Sequence, residues 1–282
     1  MRILVTGLRG FTGHYVQAEL EQHGHEVLGL SHDILDRAAI ADEISKIQPE
    51  SVIHLAAVSF FAHPNPIDFY RVNVLGTYHL LEALTQYAPA LRGVLLVSSA
   101  KVYQSGQEIV TEKSLLNPES DYAVSKLAME QMAQLWMDRL PIFMVRPFNY
   151  TGVGQSNDFV IPKIVQHFKN KAETIELGNI EVWREFGDVR TVAEIYRRLL
   201  ECAPVGRTVN VSTNMAHSLR EVLEMATEIT GHSLEVKVNP TYVRPHETPI
   251  LKGENSQLKE IIGDWATSSL QETLQWMLLS SL

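Results

Sequence analysis

Tyr122 and Lys126 stand four residues apart in the stretch Tyr-Ala-Val-Ser-Lys, and residues at that spacing share one face of a helix. A phenol beside an ammonium is an acid/base device, because the positive charge favours the phenolate and draws a group that ordinarily titrates near pH 10 toward neutrality. Such a pair is also common on solvated helix faces, so its meaning depends on what else the chain brings to it. A second chemical element is the run Thr6-Gly7-Leu8-Arg9-Gly10-Phe11-Thr12-Gly13. Glycines spaced G-x-x-G-x-x-G keep a turn tight and let main-chain N–H groups approach a diphosphate, whose charge is then met by a helix N-terminus.

The elements that must position these groups can be read in order. Residues 2–6 form a β-rich run, followed by the glycine loop and a helical stretch to Glu21. A second strand at 25–30 ends in Ser31-His32, where an NAD-preferring protein would offer the adenosine ribose an acid. A serine and a potential cation, with Arg9 nearby in sequence space, suit a 2'-phosphate better than a bare hydroxyl, so NADP(H) is the preferred cofactor and NAD(H) a possible one. Asp33-Ile34 follow at the place from which the adenine amino group is usually met, and Asp33 is also a candidate N-cap for a helix near Arg37. An apolar run at 51–57 reads as a strand buried on both faces, and its end, Leu55-Ala56-Ala57, narrows to small residues that let a cofactor pass. His63 falls in the following loop, and its position favours a loop residue over a catalyst. A helix at 69–87 carries Asn73, a strand at 93–98 runs into Ser99-Ala100-Lys101-Val102-Tyr103, and the helix of Tyr122 and Lys126 extends to about 138. A strand at 141–145 leads to Arg146-Pro147-Phe148-Asn149.

This alternation predicts an α/β protein built on a Rossmann-type, doubly wound parallel sheet with right-handed crossovers. Later the rhythm loosens, with helices expected at 158–169, 189–202, 219–230 and 270–279 and strands at 174–185, 208–211 and 234–238. The expected division is a dinucleotide-binding domain over 1–150 plus about 186–212, and a smaller C-terminal α/β substrate-binding cap over 151–185 and 213–282.

The chain has 282 residues, 45% hydrophobic and 20% charged, enough for a substantial core. A net charge of -9 argues against nucleic acid or anionic membrane as a partner, so an anionic ligand must be held by local arginines and helix termini. Cys202 is the only cysteine, which leaves no disulfide framework and no cysteine metal cluster and fits a cytoplasmic setting. No apolar run approaches a transmembrane length.

The order of Thr6-Gly7-x-x-Gly10-x-x-Gly13, the Ser99 segment and Tyr122-x-x-x-Lys126 resembles the extended short-chain dehydrogenase/reductases of the nucleotide-sugar branch, over nearly the whole chain. The resemblance implies that Ser99, Tyr122 and Lys126 are catalytic and that Asn73 supports the active-site helix. A narrower set of residues, Arg146-Pro-Phe-Asn149-Tyr-Thr-Gly-Val-Gly-Gln155-Ser156, Asp158-Phe-Val-Ile, Gly178-Asn-Ile-Glu-Val and Arg244-x-x-Glu247, is similar to GDP-4-keto-6-deoxy-D-mannose reductases, which make GDP-D-rhamnose. That likeness implies a GDP-linked sugar as substrate, with Ser99, Ala100, Asn149, Lys163, Arg184, Arg244 and Glu247 around it and the arginines on the diphosphate. The competing reading pairs Arg184 with Glu185 and Arg244 with Glu247 as surface ion pairs.

Dehydratases of the group carry Asp-Glu after the catalytic serine or threonine, and enzymes that epimerise C3 and C5 before reduction carry a cysteine there. This chain has Ala100-Lys101, which points to plain hydride transfer at C4: a ketone reduction, to the rhamnose or the 6-deoxytalose configuration, or a C4 epimerisation on tightly bound NAD. A non-enzymatic NADP-sensing module remains a remote alternative. In the expected reaction Tyr122 protonates the forming alkoxide, Ser99 hydrogen-bonds that oxygen, and Lys126 holds the nicotinamide ribose. Apolar positions on the helices of Tyr78 and Tyr122 imply a homodimer through a four-helix contact, as is usual in this family.

Overall fold

Residues 1–60, 63–242 and 249–280 are described by a computed structural model. The first half alternates β1 (Arg2–Thr6), α1 (Phe11–Gln22), β2 (Glu26–Leu28), α2 (Arg37–Ile47) and β3 (Ser51–His54). A long helical segment follows as α3 (Ile67–Tyr70), a π-helical stretch (Arg71–Gly76) and α4 (Thr77–Tyr87), and then β4 (Gly93–Val97), β5 (Ile109–Val110), α5 (Asp121–Gln134) and β6 (Ile142–Pro147). The second half contains β7 (Tyr150–Thr151), α6 (Val160–Lys169), β8 (Thr174–Leu177), β9 (Trp183–Arg184), β10 (Gly187–Asp188), α7 (Val189–Cys202) and β11 (Thr208–Val211). It ends with β12 (His217–Ser218), α8 (Leu219–Thr230), β13 (Glu235–Val238), β14 (Ile250–Gly253), α9 (Ser256–Ile262) and α10 (Leu270–Leu279).

Six parallel strands make the central sheet in the order β11-β6-β4-β3-β1-β2. Successive side chains of a strand point to opposite faces, and here both faces are buried. Ile3, Val5, Ile53, Leu95, Phe143 and Val145 pack with α1 and α7 on one side, while Leu4, Val52, Val94, Leu96, Ile142 and Met144 pack with α2, α4 and α5 on the other. This explains why the strands read as unbroken apolar runs instead of alternating ones.

A third core joins α6, α8 and α10 through Ile164, Val222 and Leu274, beside the parallel pair β8–β13. β14 runs parallel to both β9 and β5, so a strand from the late part of the chain closes on a loop of the first half. The elements outside the expected set are the two-residue strands β5, β7, β10 and β12, the strand β14, and α9, whose Leu258 and Ile262 pack into the sheet core against α7. Their apolar runs are too short to show a period. The active-site helix ends at Gln134, four residues earlier than expected, and β3 ends at His54, before Leu55-Ala56-Ala57. Among the described residues no helix is long and apolar enough to cross a membrane, and no group of three or more His, Cys, Asp or Glu could hold a metal ion.

Candidate active site

The glycine loop lies at the carboxyl end of β1. Gly7 adopts φ +72, and a Cβ there would stand 2.9 Å from the Ala56 nitrogen, so this loop abuts the end of β3 as closely as backbone allows. Gly13 is buried in the first turn of α1, where a Cβ would fall 2.4 Å from the carbonyl oxygens of both Gly7 and Leu8. Gly10 is the N-cap of α1, with no capping side chain and no acidic residue in the first turn. The first N–H groups of the helix are therefore left for a ligand, and the cradle fits a diphosphate. Thr12 Oγ1 is 2.9 Å from the Tyr150 hydroxyl and the Phe11 ring stacks on Tyr150 at 6.3 Å, which ties the loop to β7.

From β1 a buried chain of hydrogen bonds crosses to the active-site helix. The Ala56 N–H donates to Thr6 Oγ1, which lies 2.6 Å from His54 Nδ1. His54 Nε2 is 2.8 Å from Thr77 Oγ1, and that hydroxyl donates to the Asn73 carbonyl. Since the Thr77 proton is committed to Asn73, Nε2 must carry the histidine hydrogen and Nδ1 must accept from Thr6. Burial, and then the nearby charge of Lys126, push His54 down to about 3, so the ring is neutral. The Asn73 amide grips Val58, accepting its N–H at 2.9 Å and donating to its carbonyl at 3.1 Å, and also donates to Ser125 Oγ at 3.0 Å. Ser125 in turn donates to the Tyr122 carbonyl. Asn73 lies in the π-helical stretch, a local widening that often marks a functional position.

Ser120 caps α5, its hydroxyl accepting the Ala123 N–H. This helix presents Tyr122 and Lys126 toward the end of β4. Ser99 is buried, caps the 3-10 turn Ala100–Val102 and hydrogen-bonds the Tyr122 phenol. Lys126 is only 4% exposed and donates from Nζ to the Val97 carbonyl at 2.8 Å. Burial drives its ammonium down to about 8, with the Glu130 carboxylate pulling the other way. Burial pushes Tyr122 up to about 12, opposed by the Ser99 hydroxyl. The sequence expectation of a phenol drawn toward neutrality is therefore reversed: desolvation wins, and the ammonium is turned to the Val97 carbonyl. A phenol that keeps its proton is a proton donor, as a carbonyl reduction requires.

At the end of β2, Ser31 and His32 do not stand alone. Glu43 of α2 accepts the Ser31 N–H with both carboxylate oxygens at 3.0 and 3.1 Å and lies 3.0 Å from His32 Nδ1. Asp33 accepts the Leu35 N–H, and Asp36, not Asp33, is the N-cap of α2. The expected cap is displaced because the chain turns once more, through the bond from the Asp36 N–H to the Asp33 carbonyl, before the helix begins. Ile34 is buried against Gly76 of the π-helical stretch. Leu55, Ala56 and Ala57 are half-buried beside the glycine loop, and Arg9 is exposed in it.

The expected substrate contacts are more scattered. Ala100 is buried beside Ser99, and Asn149 lines a crevice with Tyr150, Glu185, Asp188 and Thr213. Lys163 reaches the Glu176 carbonyl at 2.7 Å and lies over the Tyr242 ring at 4.7 Å. Arg184 donates to the Trp183 carbonyl at 2.7 Å. Its neighbour Glu185 is turned inward and accepts from Ser212, Thr213 and the Gly253 N–H, so the surface pair weighed for Glu185 does not describe its contacts. Arg244 and Glu247 lie outside the described residues. Sequence reasoning missed Tyr150, His54 and Glu43. Tyr150 directly follows Asn149 and could have been singled out, whereas Glu43 is one of several acids on an amphipathic helix and carries no signal of its own.

Residues 3–212 match the model of the NAD dependent epimerase/dehydratase family. The GDP-6-deoxy-D-talose 4-dehydrogenase of Aggregatibacter actinomycetemcomitans is 34% identical, over 98% of this chain and 97% of its own. The GDP-6-deoxy-D-mannose reductase of Pseudomonas aeruginosa is 31% identical, over 98% of this chain and 96% of its own. The solved structure of RMD from Pseudomonas aeruginosa complexed with NADPH superposes with a TM-score of 0.90 at 30% identity, covering 99% of this chain and 98% of that one. With a glycine cradle, a Ser-Tyr-Lys constellation and these matches in agreement, the chain belongs to the NAD dependent epimerase/dehydratase family.

Proposed function

We propose that this protein is an oxidoreductase that reduces the C4 ketone of a nucleotide-linked 4-keto-6-deoxy sugar, GDP-4-keto-6-deoxy-D-mannose, to GDP-D-rhamnose. The observation that carries this is the Tyr122 phenol, hydrogen-bonded to Ser99 and held protonated by burial, beside a loop that fits a diphosphate. NADPH, when bound, supplies the hydride. Tyr122 gives its proton to the oxygen developing at C4, Ser99 hydrogen-bonds that same oxygen, and the Lys126 ammonium lends positive charge to the site. Ala100-Lys101 after Ser99 offers neither the carboxylates for eliminating water nor a cysteine for epimerising neighbouring carbons, so proton donation at one oxygen is what remains.

The dinucleotide is assigned to Gly7, Arg9, Gly10, Phe11, Thr12 and Gly13 and to the edge formed by Ser31, His32, Asp33 and Ile34, with Leu55, Ala56 and Ala57 beneath it. Residues 151–185 and 213–282 are assigned to the sugar nucleotide, with Asn149, Lys163 and Arg184 toward it. α9 packs with the dinucleotide-binding side. A second reading keeps the same machinery and reverses the ketone face, giving the 6-deoxy-D-talose configuration. It is favoured by the 34% identity to a GDP-6-deoxy-D-talose 4-dehydrogenase. Exposed Tyr78 and Leu135, on and just beyond α4 and α5, support a homodimer through these helices. The lone, exposed Cys202 is compatible with a cytoplasmic setting.

The test is incubation of the protein with NADPH and a panel of 4-keto-6-deoxy nucleotide sugars. The expected result is consumption of NADPH with the GDP-linked ketone and the rhamnose configuration at C4 by NMR. Turnover without net NADPH loss, with NAD retained on the protein, would overturn the reductase reading in favour of an epimerase.

A further inference from the structure

The end of β2 is where a dinucleotide-binding sheet tells NADH from NADPH, by what it offers the adenosine ribose. Ser31-His32 lacks an acid in sequence, yet the fold brings one there from another element. We propose that Glu43, borne on α2, sets the discrimination between the two dinucleotides at this edge, opposed by Arg9 of the glycine loop. This rests on the assignment of the loop and edge to a dinucleotide.

The placement is specific. β2 and the glycine loop abut, since a Cβ on Gly29 would lie 2.9 Å from the Leu8 side chain. The edge residues Ser31 and His32 are therefore neighbours of the cradle. The Glu43 side chain is only 13% exposed, while the His32 side chain is 55% exposed, so the acid forms the floor of this edge and the imidazole its rim. Burial raises the Glu43 carboxyl, but the hydrogen bonds from His32 and Ser31 outweigh it and hold the group below its ordinary range, so it is anionic at neutral pH. Each carboxylate oxygen has lone pairs beyond those used by Ser31 and His32 and can accept from a ribose hydroxyl. A 2'-phosphate meets the same carboxylate as a like charge. The His32 imidazole is tied to the acid, its Nδ1 lying 3.0 Å from Glu43 Oε1. The compensating cation is Arg9, which is exposed and has no side-chain partner among the described residues. The edge thus carries an acid that favours the ribose diol and an arginine that favours the phosphate, and their balance gives a protein that accepts both cofactors.

The test is fluorescence titration of the full-length protein with NADPH and with NADH, for the wild type, Glu43→Gln and Arg9→Ala. Glutamine keeps an oxygen for the Ser31 N–H and His32, removes the charge, and turns the second acceptor into an N–H donor that a phosphate can accept from. Glu43→Gln is expected to tighten NADPH binding about tenfold, the scale of one partly screened charge contact, and to leave NADH binding equal or weaker. Arg9→Ala is expected to weaken NADPH binding by a similar factor and NADH binding less, so that the two variants move the ratio of NADPH to NADH affinity in opposite directions. If Glu43→Gln changes both affinities by the same factor, or neither, Glu43 is only a loop anchor and the proposal is wrong while the dinucleotide assignment stands. A wild type that binds neither cofactor overturns both.

Discussion

Lys126 is a buried ammonium held against its desolvation, and replacing it by methionine should stabilise the protein while abolishing its chemistry. An ammonium that titrates at about 8 instead of 10.5 has forfeited about 3 kcal/mol of free energy on folding, at about 1.4 kcal/mol per tenfold. The side chain is 4% exposed and its one hydrogen bond goes to the Val97 carbonyl. Methionine fills a similar volume without the charge, but it leaves that carbonyl unpaired at a cost of about 1–3 kcal/mol. The net expectation for Lys126→Met at neutral pH is a gain of about 0–2 kcal/mol, with turnover lost. The pH dependence is the sharper measurement. Below about 8 the native protein carries the full penalty of the buried charge; between 8 and 10.5 the unfolded chain binds the proton and the native state does not. Wild-type stability should therefore rise through this window relative to the variant, by up to about 3 kcal/mol. Urea unfolding of both proteins at neutral pH and again near pH 10 reads the difference. A variant that is destabilised by the same amount at both pH values would refute the claim that the folded state strains against this ammonium.

The same values set the activity profile: ketone reduction should decline as pH rises through about 8, where Lys126 loses its proton, while the Tyr122 phenol stays protonated to about 12; initial rates of NADPH consumption across pH check this. Tyr122→Phe should lower turnover by about 10²–10⁴-fold and leave dinucleotide affinity nearly unchanged, read by rate and by fluorescence titration. Gly13→Ala places a methyl 2.4 Å from two backbone oxygens, so it should lose about 1–3 kcal/mol of stability and most of its NADPH binding, measured by unfolding and titration.

How far the sequence can be read depends on whether a feature is local. The glycine spacing, the strand and helix alternation and the helix of Tyr122 and Lys126 are local patterns, and α7, β11, α8 and α10 begin and end at the residues expected of them. What escaped were consequences of assembly. Glu43 is one acid among several on α2 until the fold sets it under Ser31 and His32. The direction of the Tyr122 shift was misread because four-residue spacing implies proximity to a charge and says nothing of burial, which here is the larger effect. β14 could not be seen because its partners β9 and β5 lie far away in sequence, and a four-residue strand has no period of its own.

The two motifs that the sequence does announce, the glycine loop and the Tyr122 helix, are joined through residues it does not. Thr6, at the end of β1, reaches His54; His54 reaches Thr77, at the start of α4; Thr77 donates to the carbonyl of Asn73 in the π-helical stretch; and Asn73 reaches Ser125, beside Tyr122 and Lys126. The Thr77 and Ser125 hydroxyls have their protons committed to backbone carbonyls, and the path continues to Thr6 through a His54 that is neutral and hydrogen-bearing at Nε2. Burial supplies the first condition and Thr77 the second. A protonated ring would donate from both nitrogens, so the Thr6 hydroxyl would have to accept from Nδ1 as well as from the Ala56 N–H, and its own proton would lose the acceptor it has here. The neutral His54 thus ties the glycine loop to the helix of Tyr122 and Lys126, and the widened turn at Asn73 lets one helix side chain serve both the Val58 backbone and Ser125 of that helix.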